Sequence, residues 1–488
     1  MNTHNAPMLL DLAIQNIVRD EDLVIPILEW LPEHIFLPLL EVAVTGRHYK
    51  TLRAIIGDWP YPYLSLRVLR GVEKPHQDIL KALLDGVDDL FLQKIHPKRS
   101  KLQVLDLREN TVTNAWYGGS GSMAGSSACS VKELVDAHHR RKRQKVGESM
   151  LEERQLFDPL VVLIDGLIEN GGPDESLTYL IERVQQREDI LHLCCSRLEL
   201  VNVPRNFFLI EKMMETLQLD FIEELVMKST WEVDILGSFA PYLGQMVNLR
   251  KLTLSRAIMH FWLPQDDEQE AENLFVQFTS QFAQLQQLKE LTVEYVHCLH
   301  GRWEQVLKYL KNPLEFLCIT SLPLLTSDSN YLSMCPSTSH LKSLHLKDII
   351  QTTLDPELLH VLLMRSSATL QDLDLSGCRF SNNFFFSILP VLGQCSQLQS
   401  FSFYGNSLSM ADLGTLLRRI LLLHKLTFLE LPVPFDCYLD NTDSPHQRTL
   451  QLHMDKLRDI VLESGRQPKE MASHRDSDRE HDSIAVRL

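Results

Sequence analysis

Features typical of disulfide-bonded, zinc-binding, secreted and membrane proteins are missing from this sequence. Its nine cysteines include no C-x-x-C pair, so we predict buried thiols and neither a disulfide framework nor a metal site. No uninterrupted apolar run of about 18 residues occurs, and the first residues carry acids and no basic leader. We therefore expect no membrane-spanning helix, no signal peptide and an intracellular location.

An excess of positive charge is also missing. The chain has 48 Lys and Arg residues against 64 Asp and Glu residues, and its net charge is −16 at pH 7. Such a charge opposes non-specific binding to nucleic acids and to anionic membranes. We predict neither as a direct partner.

One basic run departs from this balance, and it follows a Gly/Ser-rich stretch at residues 117–130 that is typical of a flexible loop. A cluster of this kind is a candidate nuclear localisation signal, and the alternative is a solvated charge run in a loop. Its basic residues are Arg140, Arg141, Lys142, Arg143 and Lys145.

Sequence motifs for catalysis are absent. The stretch "GGSGSMAG" matches neither the G-x-S-x-G nucleophile elbow nor the G-x-G-x-x-G phosphate-binding loop, and H-E-x-x-H does not occur. We predict that the protein is not an enzyme, uses no cofactor and acts by binding.

A phrase of the form L-x-x-L-x-L returns eight times after about residue 220, at steps of 26 to 29 residues apart from one step of 39. The second and third leucines of each phrase are two residues apart, so on a strand they point to the same side, into a shared core. The phrases begin at Ile222, Leu249, Leu288, Leu314, Leu341, Leu370, Leu398 and Leu426. Earlier strands of the same kind are predicted at residues 102–110 and 190–200.

Amphipathic stretches between the phrases predict one helix in each repeat. Residues 355–368 and 409–424 begin with Asp and Ser, which are favoured helix caps. Residues 157–172 and 176–186 are also predicted helices, and the acidic residues 263–275 are predicted to form a loop leading into a helix. A strand and a helix per repeat indicate an α/β fold, a leucine-rich-repeat solenoid shaped as a horseshoe with its helices outside.

The predicted organisation has five parts. Residues 1–60 form a helical amino-terminal segment, 61–110 the first repeat-like units, and 111–150 the flexible Gly/Ser and basic loop. Residues 151–463 form the solenoid. Residues 464–488 are polar and poor in apolar side chains, so we predict a disordered tail.

On each predicted strand, the residues that alternate with the inward leucines face the concave side of the solenoid. They are polar, mixed in sign and lightly aromatic, which suits a protein partner better than a phosphate backbone; the alternative is plain solvated surface. We predict that this face binds a protein substrate. The predicted contacts are Lys251, Thr253, Glu290, Thr292, Phe316, His345, Asp372, Asp374, Ser402 and Tyr404.

Three L-x-x-L-L sequences occur, at residues 80–84, 359–363 and 413–417. A helix with this motif can dock into a hydrophobic groove, as in coregulators of nuclear receptors. Here each motif lies where a helix must bury its leucines, so we favour a role in the core.

In the amino-terminal segment, Leu9, Ala13 and Ile17 stand at positions i, i+4 and i+8 and share one face of a predicted helix. The small Ala13 in the middle permits close approach of another chain. This pattern resembles the elongin-binding box of substrate receptors in cullin-RING ubiquitin ligases.

A second pattern follows, in which Leu31 and Pro32 are succeeded by Ile35 and Leu39. It resembles the cullin-2 box of the same receptors. Proline is favoured at the first position of a helix, where its missing N–H is not needed. A further proline, Pro38, is predicted to bend or restart the helix, because the residue before a proline avoids the α conformation.

To about residue 465 the chain resembles the PRAME family (preferentially expressed antigen in melanoma and its relatives). The resemblance rests on "LLDLAIQNIVRDEDL", "GRHYKTLRAIIGDWPY", "KLQVLDLREN", "APYLGQMVNLRKLTLS", "QFTSQF", "ATLQDL" and "CSQLQSFSFYGNSLS". It implies a leucine-rich-repeat substrate receptor, in the cytoplasm and nucleus, that binds elongin B/C and cullin-2 with its RING subunit. The chain has no RING cysteines of its own, so it would recruit the catalytic subunits.

Two other functions stay open at this stage. The resemblance also implies repression of retinoic-acid-receptor signalling, so the protein could be a nuclear corepressor that binds a nuclear receptor without ubiquitination. The third function is a leucine-rich-repeat inhibitor of a single enzyme.

Overall fold

The computed structural model describes residues 9–66, 77–92, 100–108, 159–169, 173–188, 190–202, 207–257, 265–349, 354–380, 382–438, 444–475 and 482–488. In these residues the chain is a mixed α/β protein with many helices and one large sheet. It divides into two compact units. The amino-terminal unit comprises Met1–Leu198 and Asn206–Ile222, and the carboxy-terminal unit comprises Glu199–Arg205 and Glu223–Leu488.

The amino-terminal unit begins with four helices. They are α1 (Leu9–Val18), α2 (Glu21–Ile27), α3 (Phe36–Thr45) and α4 (Tyr49–Gly57), with 3-10 turns at Leu28–Trp30 and Glu33–Ile35. The Asp20 carboxylate caps α2 by accepting a hydrogen bond from the amide of Leu23 at 3.3 Å. Pro38 lies in the first turn of α3, where the missing N–H breaks no hydrogen bond. The helix starts at Phe36, before this proline, and continues through it, so the reason given for a break at Pro38 is wrong: Leu37 is helical.

Further along, this unit contains a parallel sheet of four strands in the order β1, β2, β3, β5. The elements along this part of the chain are β1 (Tyr63–Ser65), α5 (Gln77–Leu92), β2 (Val104–Asp106), β3 (Leu160–Leu163), β4 (Gly166–Glu169), α6 (Glu175–Gln185), β5 (Leu191–Cys194), β6 (Arg197–Val201) and α7 (Phe208–Thr216). The strand β6 runs from this unit into the carboxy-terminal unit. The strands predicted at 102–110 and 190–200 were expected to extend the repeat sheet. β2 and β5 belong instead to this separate sheet, whereas β6, which also falls within the second prediction, joins the large sheet.

The two helices predicted in this region had different outcomes. Residues 176–186 form α6, as predicted, and the Asp174 carboxylate accepts a hydrogen bond from the amide of Leu177 at 2.8 Å. The helix predicted at 157–172 is wrong, because β3 and β4 occupy it. Val161 and Val162 favour a strand, and Gly166 lies so close to the next chain segment that an added Cβ would be 2.6 Å from the Arg197 carbonyl oxygen.

All eight leucine phrases form strands in the carboxy-terminal unit, which confirms that prediction. The strands are parallel and stand side by side in chain order. They are β7 (Glu224–Trp231), β8 (Lys251–Ala257), β9 (Glu290–Glu294), β10 (Phe316–Thr320), β11 (Ser343–Lys347), β12 (Asp372–Asp374), β13 (Ser400–Ser402) and β14 (Phe428–Pro432).

A helix follows each of these strands, and neighbouring helices contact each other. The helices are α8 (Val233–Leu243), α9 (Gln265–Ser280), α10 (Trp303–Leu307), α11 (Thr326–Met334), α12 (Pro356–Ser366), α13 (Asn382–Leu392), α14 (Met410–Ile420) and α15 (Gln447–Glu463). Asp355 and Ser409 cap α12 and α14, as their positions predicted. The acidic residues 263–275 do not form the predicted loop from 265 onward, because α9 begins at Gln265.

Buried apolar residues of the strands and the helices form one core in each repeat. In β9, Leu291 and Val293 are buried, while the alternate residues Glu290, Thr292 and Glu294 are partly exposed. Leu254 of β8 and Phe275 of α9 line the same small apolar cavity. The sheet and the helix layer therefore share their apolar side chains.

The prediction of a disordered tail at 464–488 is wrong for the residues that the structure describes. Two antiparallel strands, β15 (Glu470–Arg475) and β16 (Asp482–Arg487), follow α15, and β16 pairs with β14. Ile484 and Val486 are buried and cover the end of the core. Two apolar residues at alternate positions are enough for a strand that pairs with β14 on one side and β15 on the other, although the stretch as a whole is polar.

The eight described cysteines are all buried free thiols, which agrees with the sequence prediction. Burial raises the pKa of Cys195 and Cys298 to about 12, so both stay protonated at neutral pH. Over the described ranges, none of the helices combines the length and the apolar character needed to cross a membrane.

Candidate functional site

The helix α1 presents the predicted elongin-box residues on the surface. Leu9 is 87% exposed, Ala13 is exposed and Ile17 is half-buried. The opposite face of the helix is anchored by Ile14 and Val18, which are buried, and α1 contacts α2 and α3. An exposed leucine in a well-anchored helix is available to a partner without any rearrangement of the fold.

The predicted cullin-box residues are divided between the surface and the core. Pro32 is exposed, and Leu31 and Ile35 are half-buried. Leu39 is only 1% exposed, because it lies in α3 among the buried residues of the amino-terminal helices. A partner on this surface can contact the first three residues, whereas Leu39 supports the helix from inside.

Sequence reasoning missed two exposed apolar residues between these motifs. Leu23 is 54% exposed and Trp30 is 78% exposed. They stand seven residues apart in α2 and the turn that follows, while Val24 and Leu28 of the same segment are buried. The signal was present in "LVIPILEW", which is apolar on every side of a helix, a pattern typical of a segment covered on both sides.

These residues define the first candidate site, which we call the α1–α2 surface. Its members are Leu9, Ala13, Ile17, Leu23, Trp30 and Pro32. Single exposed apolar residues are common in soluble proteins, but six of them on two neighbouring helices and the turns that follow form a candidate interaction site. The surface carries no titratable pair and no nucleophile, so its chemistry is that of apolar docking.

Nine of the ten predicted substrate-binding residues lie on the second candidate site, the strand face, defined as the outward positions of β7 to β14; Tyr404 lies two residues beyond the end of β13. The pairing register places them in rows across the sheet. One row runs through Lys251, Glu290, Phe316, Ser343, Asp372 and Ser400, and the next through Thr253, Thr292, Cys318, His345, Asp374 and Ser402. Asp374, Ser402 and Tyr404 are nearly buried, so contacts with a partner fall mainly on their neighbours.

The centre of the strand face is a network of opposite charges on β10, β11 and β12. Nε2 of His345 is 2.5 Å from Oδ2 of Asp372, and Nζ of Lys347 is 2.7 Å from Oδ2 of Asp374. The ring of Phe316 meets the His345 ring edge-on, with the ring centroids 5.0 Å apart. Asp374 also accepts a hydrogen bond from Oγ of Ser376 at 2.6 Å. Each charge in the cluster therefore has a partner.

The pKa of His345 reflects this network. Burial lowers its pKa, but the hydrogen bonds to Asp372 and Cys318 and the charges of Asp372 and Asp374 outweigh burial and raise the pKa to about 9. Burial raises the pKa of Asp372, and the hydrogen bond and charge of His345 reverse this and lower it. His345 is therefore a cation at neutral pH.

We expect the His345–Asp372 pair to stabilise the fold only over a limited pH range. Because the folded pKa of His345 lies above its ordinary value of 6.5, its contribution is full below pH 6.5 and is lost as the pH rises through about 9. The lowered pKa of Asp372 removes the contribution again in acid. Urea denaturation should show that His345→Gln loses more stability relative to the unsubstituted chain at about pH 6 than at about pH 10. An equal difference at both pH values would contradict the assignment.

Other residues singled out in the sequence have different outcomes. The basic residues 140–145 lie outside the described residues. All nine leucines of the three L-x-x-L-L sequences are buried, as favoured above. Within the part of the chain that the structure describes, no group of three or more His, Cys, Asp or Glu residues could hold a metal ion.

Known proteins resemble this chain over most of its length. The sequence model of the PRAME N-terminal domain matches residues 6–116 and that of the PRAME C-terminal domain residues 160–474. PRAME family member 12 of Homo sapiens is 40% identical over 438 residues, which is 90% of this chain and 86% of that protein. PRAME family member 7 of Homo sapiens is 37% identical over 440 residues, covering 90% of this chain and 88% of the relative.

More distant similarities include a protein of another mammal and a solved bacterial structure. Preferentially expressed antigen in melanoma-like protein 1 of Mus musculus is 34% identical over 416 residues, covering 85% of this chain and 86% of the relative. A solved structure from Bacteroides fragilis covers 62% of this chain and 85% of its own at 13% identity, with a TM-score of 0.25. That last similarity is too small to bear on the fold.

Proposed function

This chain belongs to the PRAME family, and from this premise we propose that it is a leucine-rich-repeat substrate receptor of a cullin-2 RING ubiquitin ligase. In this proposal the α1–α2 surface binds elongin B/C and cullin-2, and the strand face binds the substrate. The protein itself is not an enzyme and uses no cofactor. It acts in the cytoplasm and nucleus by bringing a target protein to the catalytic subunits.

The exposure of Leu9 is the observation that carries the proposal. Because Leu9 is 87% exposed, its side chain adds nothing to the stability of the fold. Burying it in a partner's pocket would contribute about 1.5–3 kcal/mol to the free energy of binding. Its neighbours on the same face, Ala13 and Ile17, complete the spacing of the elongin-binding box. The anchored opposite face makes α1 a preformed docking helix, which lowers the entropy lost on binding.

The strand face supports the receptor role in a second way. Its outward side chains offer charges, hydroxyls and aromatic rings on a regular grid. The repeated parallel strands and helices fit a leucine-rich-repeat solenoid, and such solenoids use extended surfaces for protein recognition. No observation favours the corepressor alternative, because the leucines that would dock on a nuclear receptor are buried.

Replacing Leu9 by alanine should weaken the capture of elongin B/C by about tenfold or more, since most of the buried leucine area would be lost. The measurement is a titration of purified full-length chain with purified elongin B/C by calorimetry. The melting temperature should not change, because the side chain is exposed in the free protein.

The matched control is Leu209→Ala, which removes another exposed leucine from the amino-terminal unit, on α7. It should leave the affinity for elongin B/C unchanged. If Leu9→Ala protein binds as tightly as the unsubstituted chain, α1 is not the docking helix. If the unsubstituted chain itself does not bind elongin B/C, the receptor function is wrong.

A further inference from the structure

We propose that the strand face binds a substrate segment that carries basic side chains, and that the carboxylates of Glu294 and Glu430 hold them. The proposal deepens the proposed function, on which it rests, by naming the chemical class of the substrate. It is argued from the balance of charges on the strand face and from the hydrogen bonds that fix two of its acids.

Acids outnumber bases on the strand face. Six carboxylates face outward from β7 to β14, against four groups that are cationic at neutral pH. The acids are Glu224, Glu290, Glu294, Asp372, Asp374 and Glu430, and the bases are Lys228, Lys251, His345 and Lys347. The local sign agrees with the net charge of −16 for the whole chain. An electropositive segment is therefore attracted to this face.

Three of these acids are already neutralised by a neighbour. Glu290 lies 2.9 Å from Nζ of Lys251. The two aspartates of the central network have His345 and Lys347 as partners. A ligand cation would have to compete with these ion pairs, so they are not the places where it binds.

Glu294 and Glu430 differ from these acids, because hydroxyl groups hold them and, among the described residues, no cation does. Oε2 of Glu294 accepts a hydrogen bond from Oγ of Ser255 at 3.0 Å. Glu430 accepts two, from Oγ of Ser402 at 2.8 Å and from Oγ of Ser483 at 3.2 Å. Neutral donors orient a carboxylate but leave its charge uncompensated, so each group is a preorganised acceptor for Lys or Arg.

The spacing of the two carboxylates describes the ligand further. They lie on β9 and β14, five strands apart, which is about 24 Å at the usual separation of strands, and Glu294 stands two residues further along its strand than the row of Glu430. An extended chain covers that distance in about seven residues. The partly exposed rings of Phe316 and Phe428 lie on strands within this span. We therefore infer an extended segment with two basic residues about seven positions apart.

The test uses the full-length chain and three fluorescent Gly/Ser peptides that differ in two positions about seven residues apart. The positions hold arginine, glutamine or glutamate. By fluorescence anisotropy the arginine peptide should bind best, and Glu430→Gln should weaken its binding by about fivefold to tenfold. Glu294→Gln should act in the same direction. Melting temperatures confirm that each variant folds.

The matched control is Glu357→Gln, which removes the same charge from the exposed helix α12. It should leave the affinity unchanged. If it weakens binding as much as Glu430→Gln does, the attraction comes from the net charge of the chain and the proposal is wrong. Equal binding of the arginine and glutamine peptides also overturns it.

The two proposals fail separately. Glu430→Gln lies in the carboxy-terminal unit and should leave the affinity for elongin B/C unchanged. If the receptor function is wrong, the elongin B/C titration shows no binding. If only the binding of basic segments is wrong, elongin B/C still binds and the peptide titration alone gives the contrary result.

Discussion

Replacing Asn406 by leucine should lower the free energy of unfolding by about 3–5 kcal/mol, because the substitution leaves buried backbone groups without partners. Asn406 is only 5% exposed. Its Oδ1 accepts from the amide of Phe380 at 2.9 Å, and its Nδ2 donates to the carbonyl oxygens of Leu375 and Phe403 at 2.9 and 2.8 Å. The side chain thus closes the turns after two neighbouring strands. Leucine can neither accept nor donate these hydrogen bonds.

Urea denaturation followed by circular dichroism measures this loss. The control is Asn383→Leu, in which the asparagine is exposed on α13 and the substitution should change stability by no more than about 0.5 kcal/mol. A result in which both variants unfold at the same urea concentration would show that water or a shifted backbone replaces the hydrogen bonds of Asn406.

The phrase that precedes Asn406 shows why the repeat could be predicted from the sequence. A leucine two residues from another must lie on the same side of a strand, and a step of 26 to 29 residues leaves room for one helix. These relations are local, so eight strands and the helices α12 and α14 were found at their predicted positions. The rows of outward residues follow from the same alternation.

Elements that depend on distant partners could not be predicted in this way. The strand β16 has only Ile484 and Val486 to bury, and it is ordered by pairing with β14. The strand β2 has the same leucine phrase as the repeats, but its partners are β1 and β3 in a separate sheet. Periodicity identifies a strand and the side it buries, but it does not identify the neighbouring strand.

The α1–α2 surface shows the same limit. Spacing predicted that Leu9, Ala13 and Ile17 share a face, but whether this face is inside or outside depends on where α2 and α3 lie. The positions of the neighbouring helices also leave Leu39 buried and Trp30 exposed, although the sequence pattern had singled out Leu39 and not Trp30. Where a segment is apolar on all sides, tertiary contacts decide which side remains for a partner.

Trp30 should therefore be the strongest anchor for the second partner, given the proposed function. Interface hot spots are enriched in tryptophan, and truncation of one typically costs about 2 kcal/mol or more. Trp30 directly precedes Leu31 and the exposed Pro32, in the segment proposed to meet cullin-2. Trp30→Ala should weaken binding of the elongin-bound chain to cullin-2 by about thirtyfold, as measured by surface-based kinetics.

The control, Phe208→Ala, removes another exposed aromatic ring from the amino-terminal unit and should leave this affinity unchanged. Both variants should unfold at the same urea concentration as the unsubstituted chain, because neither ring contributes to the core. If Trp30→Ala instead lowers stability and leaves cullin-2 binding intact, the ring covers part of its own unit. If replacing Trp30 weakens cullin-2 binding and leaves the stability unchanged, the ring contacts the partner and does not pack against its own unit. The combination of the two measurements therefore separates docking from packing at this position.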